Sequence, residues 1–235
     1  MGDNLGLAVM ESRWERQRNI SVKSLFDVLS DIHLRTTHGF IYEMFGSKSS
    51  FREVFKRLSA ENTIRRIYIA THGSAKTGNL TAINDDEISK IVLRNTLRDL
   101  ASIRGAKIRG LYLGSCYTGT KYLADFIFYD GDDGHDIPIK WLAGYSEEID
   151  WIQSAALDLL FWSTFYDVRN ELRSATSDPS ELKIVKQTAA LIKARASGLC
   201  DELGFEVWVR SRSHGTRGLI ASADSDADTD DLEAA

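Results

Sequence analysis

Two apolar runs do most to limit how this chain can fold. Ile67-Tyr68-Ile69-Ala70 leads into Thr71-His72-Gly73, and Leu111-Tyr112-Leu113 leads into Gly114-Ser115-Cys116-Tyr117-Thr118-Gly119. Both runs are short and rich in β-formers. They lack the polar alternation of a half-exposed strand, so each predicts a strand covered on both faces of a sheet. Open α/β sheets place their chemistry at the carboxyl ends of such strands, where the crevice forms. One run stops on a base and the other on a thiol, so together they predict a Cys–His nucleophilic site.

The rest of the chain alternates strand and helix. That pattern predicts an α/β fold, a layered sandwich whose mostly parallel sheet of about six strands carries helices on both faces. Strands are expected at Leu5–Met10, Phe40–Phe45, Arg66–Ala70, Ile108–Leu113 and Ile139–Tyr145, with Phe205–Arg210 as an alternating edge strand. Leu25, Phe26, Leu29 and Ile32 have helical spacing after Ser21, and Phe51, Val54, Phe55 and Leu58 follow a cap at Ser49 or Ser50. Asp85, Asp86 and Glu87 read as the acidic first turn of a helix that turns Ile88, Ile91, Val92 and Leu97 inward. Another helix is expected over Thr118–Phe128. Two long ones follow, over about Asp150–Ser174 and Pro179–Leu203, the second capped by Asp178 and closed by Gly204.

With 235 residues the chain can bury one sizeable core, and a single domain over residues 1–220 is expected. Residues 221–235 are small and acidic, with almost no core formers, and predict a disordered tail. The net charge of −5, much of it in that tail, gives no support to nucleic acid as a partner. No apolar run is long enough for a membrane partner: Leu159-Leu160-Phe161-Trp162 is flanked by Asp158 and Asp167 and reads as a core helix. No basic-then-apolar leader is visible and two cysteines make no disulfide framework, so a reducing, cytoplasmic setting is expected. Cys200, near Leu199 and Leu203, reads as a buried, inert thiol. The acidic loop Asp130–Asp136 lacks the ligand spacing of a calcium loop, and neither a metal nor a cofactor is expected.

The order Thr71-His72-Gly73, a helix, then Gly114-Ser115-Cys116-Tyr117-Thr118-Gly119 resembles the caspase-like cysteine peptidase clan, which includes caspases, metacaspases, legumain and separase. Ser115-Cys116-Tyr117-Thr118-Gly119 is most similar to the bacterial CHAT-domain group, as is Trp141-Leu142-Ala143-Gly144-Tyr145 followed by Asp150-Trp151. As strand and helix order, the resemblance extends over about Leu5–Arg210. It implies a caspase-like sandwich, Cys116 as nucleophile, His72 as proton carrier, and an oxyanion hole built from the backbone N–H groups of Gly73 and Cys116. It also implies a protein or peptide substrate. Bacterial members often stand beside sensor proteins in defence pathways, which implies a regulatory partner protein. Caspases carry Gln-Ala-Cys-x-Gly around the thiol; Gly114 takes the Gln position here, so strict cleavage after Asp is not implied.

In this clan the specificity pocket takes residues from the segment after the fifth strand, where Tyr145, Ser146, Glu147, Glu148 and Asp150 stand. A carboxylate at its floor, assigned to Asp150, would favour Arg or Lys before the scissile bond. Arg13, Arg16 and Arg18, after the first strand, are the alternative and would make an acid-binding pocket. A free thiol is little ionised near neutrality, so an imidazole and the N-terminus of a helix beginning near Thr118 are expected to activate Cys116.

Taken singly, a cysteine is often just a buried apolar group and a histidine a hydrogen-bonded one. Their joint position at two strand ends favours a catalytic pair. An esterase of the α/β-hydrolase kind would need glycine two residues after the nucleophile, where Thr118 stands, and a late histidine, for which His214 is available. An inert scaffold that binds partners is the non-enzymatic alternative. The stripe Trp151, Leu159, Trp162, Phe165 and Tyr166 reads as core or interface.

Overall fold

The computed structural model describes residues 6–15, 17, 20–34, 39–103, 107–128, 137–175, 179–210 and 215–221. In chain order its elements begin with β1 (Gly6–Glu11), α1 (Lys23–Leu29) running into a π-helical turn (Ser30–Leu34), β2 (Phe40–Met44), α2 (Lys48–Ala60) and β3 (Ile64–Ala70). Three short strands follow, β4 (His72–Gly73), β5 (Leu80–Thr81) and β6 (Glu87–Ile88), then α3 (Lys90–Ser102), β7 (Gly110–Gly114) and α4 (Lys121–Phe128). The chain continues through β8 (Trp141–Tyr145), α5 (Trp151–Ala175), α6 (Glu181–Leu203), β9 (Phe205–Arg210) and β10 (Thr216–Gly218).

Among the described residues the main sheet has seven strands in the order β10-β9-β8-β7-β3-β1-β2. The pairs from β2 to β8 are parallel, and β9 and β10 are added antiparallel at one edge. β10 is the strand beyond the expected six. The two apolar runs are indeed covered on both faces. Tyr68, Tyr112, Trp141 and Tyr145 pack with α5 and α6, where Phe161, Trp162, Phe165 and Tyr166 are fully buried. Ile67, Ile69, Leu111 and Leu113 face α2, α3 and α4 through Phe51, Phe55, Leu97 and Ile127. The stripe on α5 is therefore core, except that Trp151 and Leu159 are only partly buried. No helix among the described residues is long and apolar enough to cross a membrane.

Several helix starts differ from expectation. Ser47, not Ser49 or Ser50, caps α2: its hydroxyl accepts from the Ser50 N–H while Ser50 answers from the third helical position, a capping box. Residues 85–87 open no helix. Asp85 sits in the left-handed region (φ 69°), and Glu87–Ile88 pairs as a strand with Leu80–Thr81. The Asp86 carboxylate accepts instead from Lys48 N–H at 2.9 Å, so it serves the start of α2, and that bond holds its carboxyl below the usual range. Ser89 caps α3 through the Val92 N–H. Likewise α6 begins at Glu181 behind a Ser180 cap, while Asp178 lies outside the described residues. The acidic loop 130–136, His214 and residues 222–235 also lie outside them.

Candidate active site

Strand register decides where the two reactive groups stand. In the parallel pair β3–β7, Ala70 is opposite Gly114, and His72 and Cys116 each lie two residues beyond that pair. Both leave the sheet at the same edge, one strand apart. The short strand β4 carries His72 out of the main sheet and pairs it with Thr81 of β5, so a small second sheet (β4-β5-β6) braces the histidine loop. Gly73 then packs against the turn after β7: a Cβ built there would lie 1.7 Å from the Cys116 carbonyl oxygen and 3.1 Å from the Cys116 nitrogen. Only glycine permits this approach. It brings the backbones of residues 73 and 116 into contact.

Cys116 is half-buried and His72 is exposed, and both line one cavity of about 300 Å³. The Ile149 N–H points at the Cys116 sulfur, 3.5 Å away. The chain reverses after the cysteine with Tyr117 in the left-handed region (φ 61°). Such a conformation is sparsely populated for a bulky side chain and clusters at functional sites. The helix expected near Thr118 starts only at Lys121, and the intervening N–H groups of Tyr117 and Gly119 bond to the carbonyls of Glu147 and Tyr145. The N-terminal dipole of α4 is therefore not at the sulfur, because the effect fades within one turn.

His72 is oriented by a group without a sequence signal. Its Nε2 lies 2.5 Å from the backbone carbonyl oxygen of Trp14. A carbonyl only accepts, so Nε2 carries the proton and Nδ1 is the lone-pair nitrogen. The Trp14 ring meets the imidazole edge-on at 5.2 Å between centroids.

The cavity also has an acid that sequence reasoning missed as a site residue. Asp158, on α5, lines it and is buried. Tyr68 donates to one of its oxygens at 2.6 Å and Tyr145 to the other at 2.5 Å, and the Tyr112 hydroxyl lies 3.0 Å from that of Tyr145. Burial pushes the Asp158 carboxyl up to about 6, against the pull of the tyrosine hydroxyls. Burial and the neighbouring Asp158 charge hold all three tyrosines well above their usual range, so they remain donors. Gly114 makes room for this network: a Cβ there would lie 2.0 Å from the Tyr68 hydroxyl.

Asp150, the residue assigned from sequence to the pocket floor, caps α5. Its carboxylate accepts from the Ile152 and Gln153 N–H groups at 2.9 and 3.0 Å, and the residue is exposed. Ser146, Glu147 and Tyr145 are not among the cavity's lining residues, and Tyr145 meets it through the hydrogen bonds of its hydroxyl to Asp158 and to the Ser154 carbonyl. Of that segment Glu148 and Ile149 line the cavity, and Trp151 adds a buried indole N–H without a hydrogen-bond partner. Arg13 is exposed and outside the cavity, while Arg16 and Arg18 lie outside the described residues. Cys200 is buried and is not among the cavity's lining residues, and burial pushes its thiol up to about 11. Among the described residues no group of three or more His, Cys, Asp or Glu could hold a metal ion.

No family model matches this chain, and no curated protein matches it. Among solved structures it is similar to a secreted C11 cysteine protease, iotapain, from Bacteroides thetaiotaomicron, with a TM-score of 0.46 and 9% identity over 91% of this chain and 67% of that one.

Proposed function

We propose that this chain is a cysteine endopeptidase that cuts protein or peptide substrates and prefers Arg or Lys before the scissile bond. The observation that carries the reading is the shared cavity at matched strand ends, into which both Cys116 and His72 open. In this reading the Cys116 thiolate attacks the peptide carbonyl carbon. The carbonyl oxygen takes the negative charge and accepts from the Gly73 and Cys116 N–H groups. His72, held by Trp14, takes the Cys116 thiol proton on Nδ1 as the thiolate forms and passes it to the leaving amine. Water then hydrolyses the thioester, with the imidazole taking its proton.

Asp158 replaces Asp150 as the proposed partner of the substrate's basic side chain. A buried carboxylate lining a cavity rewards a long cation, because both charges leave water and need each other there. The three tyrosines keep that carboxylate satisfied while the cavity is empty of substrate.

The test is a positional library of fluorogenic peptides, run on the purified protein beside Cys116→Ala and His72→Ala. Cleavage after Arg or Lys that both substitutions abolish is the expected result. Cleavage that survives Cys116→Ala would refute the reading. Cleavage after Asp would refute the role of Asp158.

A further inference from the structure

We propose that Glu11 is a positioning residue for His72 and acts through the Trp14 carbonyl. The proposal deepens the peptidase reading and rests on it for its functional consequence. Glu11 ends β1 and is 1% exposed. Four donors converge on its carboxylate. Oε1 accepts from the Trp14 indole Nε1 at 3.2 Å and from the Val22 N–H at 3.1 Å. Oε2 accepts from the Ser21 hydroxyl at 2.6 Å and the Tyr42 hydroxyl at 2.5 Å.

These bonds fasten the connection between β1 and α1 at both ends, from Trp14 to Val22, and tie it to the neighbouring strand through Tyr42. Ser12 adds two more anchors at its start: its N–H donates to the Ala70 carbonyl at 2.9 Å, and its hydroxyl accepts from the Ile83 N–H at 2.9 Å. The free product of all this fastening is one backbone acceptor, the Trp14 carbonyl that faces His72 Nε2. A connecting segment held this way fixes an imidazole tautomer as a side-chain carboxylate would. It does so without placing a charge beside the ring.

The donors also set which substitution should be tolerated. The two groups on Oε1 are N–H groups that only donate, whereas the two on Oε2 are hydroxyls that can turn and accept. A glutamine with its carbonyl on the Oε1 side and its NH₂ on the hydroxyl side satisfies all four, and alanine satisfies none. The role is geometric, so Glu11→Gln should keep it and Glu11→Ala should lose it.

The readout is the tautomer of His72 by nitrogen NMR of ¹⁵N-histidine-labelled protein, with kcat and KM measured beside it. Wild type and Glu11→Gln are expected to show the single Nε2–H form. Glu11→Ala should show a tautomer mixture, with kcat lower by about tenfold or more at little-changed KM. Trp14→Phe removes only the indole donor and keeps a ring against His72; it is expected to shift the tautomer in the same direction, and carries the test if Glu11→Ala does not fold. An unchanged His72 tautomer in folded Glu11→Ala or Trp14→Phe overturns the proposal, as does a Glu11→Gln protein that behaves like Glu11→Ala. A wild-type protein that shows the Nε2–H form yet cleaves nothing counts against the peptidase reading alone, because the tautomer is read without turnover.

Discussion

Asp158→Asn is expected to lower kcat/KM for substrates with Arg or Lys before the scissile bond by about a hundredfold, and to change little for uncharged residues there. Removing one member of a buried, hydrogen-bonded charge pair costs about 2–5 kcal/mol, most of it from the stranded partner. The same substitution should raise stability at neutral pH. Burial pushes the Asp158 carboxyl up to about 6 in the fold, from an ordinary value of 3.8. Between those values the folded chain keeps a proton that the unfolded chain has released. Stability from this group is thus fully present below the unfolded value and is lost as pH rises through about 6, a loss on the order of 3 kcal/mol. Asparagine keeps the shape and an acceptor but cannot ionise. Denaturation midpoints at pH 4.5 and pH 8 should therefore differ less in Asp158→Asn than in wild type, with the variant the more stable at pH 8. Equal pH dependence in both proteins would show that the carboxyl does not titrate in this window.

Glu181→Ala should destabilise the chain by about 3–5 kcal/mol, because it leaves a buried guanidinium without its counter-charge. Arg66 reaches Glu181 with two bonds, Nε at 2.9 Å and an Nη at 2.5 Å, and the Trp141 indole donates to the same carboxylate at 3.0 Å. Arg66 is 3% exposed and lies over the Phe165 ring at 4.9 Å. Burial opposes the charge on Glu181, and Arg66 outweighs it, holding the carboxyl below its usual range. The pair fastens the first turn of α6 to β3 far from the site end of the sheet. Replacing both partners with apolar residues, Arg66→Met with Glu181→Leu, should recover most of the loss, since a buried pair contributes little beyond its own desolvation cost. Urea denaturation of the two variants checks both amounts. Below its melting temperature Glu181→Ala should still react normally at Cys116, and a lost reaction there would mean that the two ends of the sheet are coupled.

The parts of the fold that the sequence made legible are those written as local periodicity. Strands β3 and β7 read as buried because Ile67-Tyr68-Ile69 and Leu111-Tyr112-Leu113 carry apolar groups on both faces, and both faces are covered. What stayed hidden depends on partners far along the chain. Asp85 to Glu87 look like a helix start by composition, yet Asp86 serves the helix that begins at Lys48, and Glu87–Ile88 completes the hairpin that braces His72. Asp158 stands in an apolar stretch of α5 and suggests only an interruption until Tyr68 and Tyr145 are seen to meet it from two different strands. Asp150 has the composition of a pocket acid and the position of a helix cap, and the two N–H groups at the start of α5 take it. The Trp14 carbonyl is a main-chain group, which every residue has, so no residue type signals it. The one available hint was a buried glutamate ending a fully apolar strand at Glu11, a position that demands donors.

On the proposed reading, Cys116 and His72 work as one nucleophilic unit in a cavity that takes a basic side chain. Reacting the protein with an arginine-bearing peptide acyloxymethyl ketone and reading the intact mass checks this. A single adduct on Cys116 is expected, with Cys200 unmodified, and with labelling slower by about a hundredfold in His72→Ala and clearly slower in Asp158→Asn. Labelling of Cys116 at the same rate in wild type and His72→Ala, or no labelling of the folded wild-type chain, would contradict that reading.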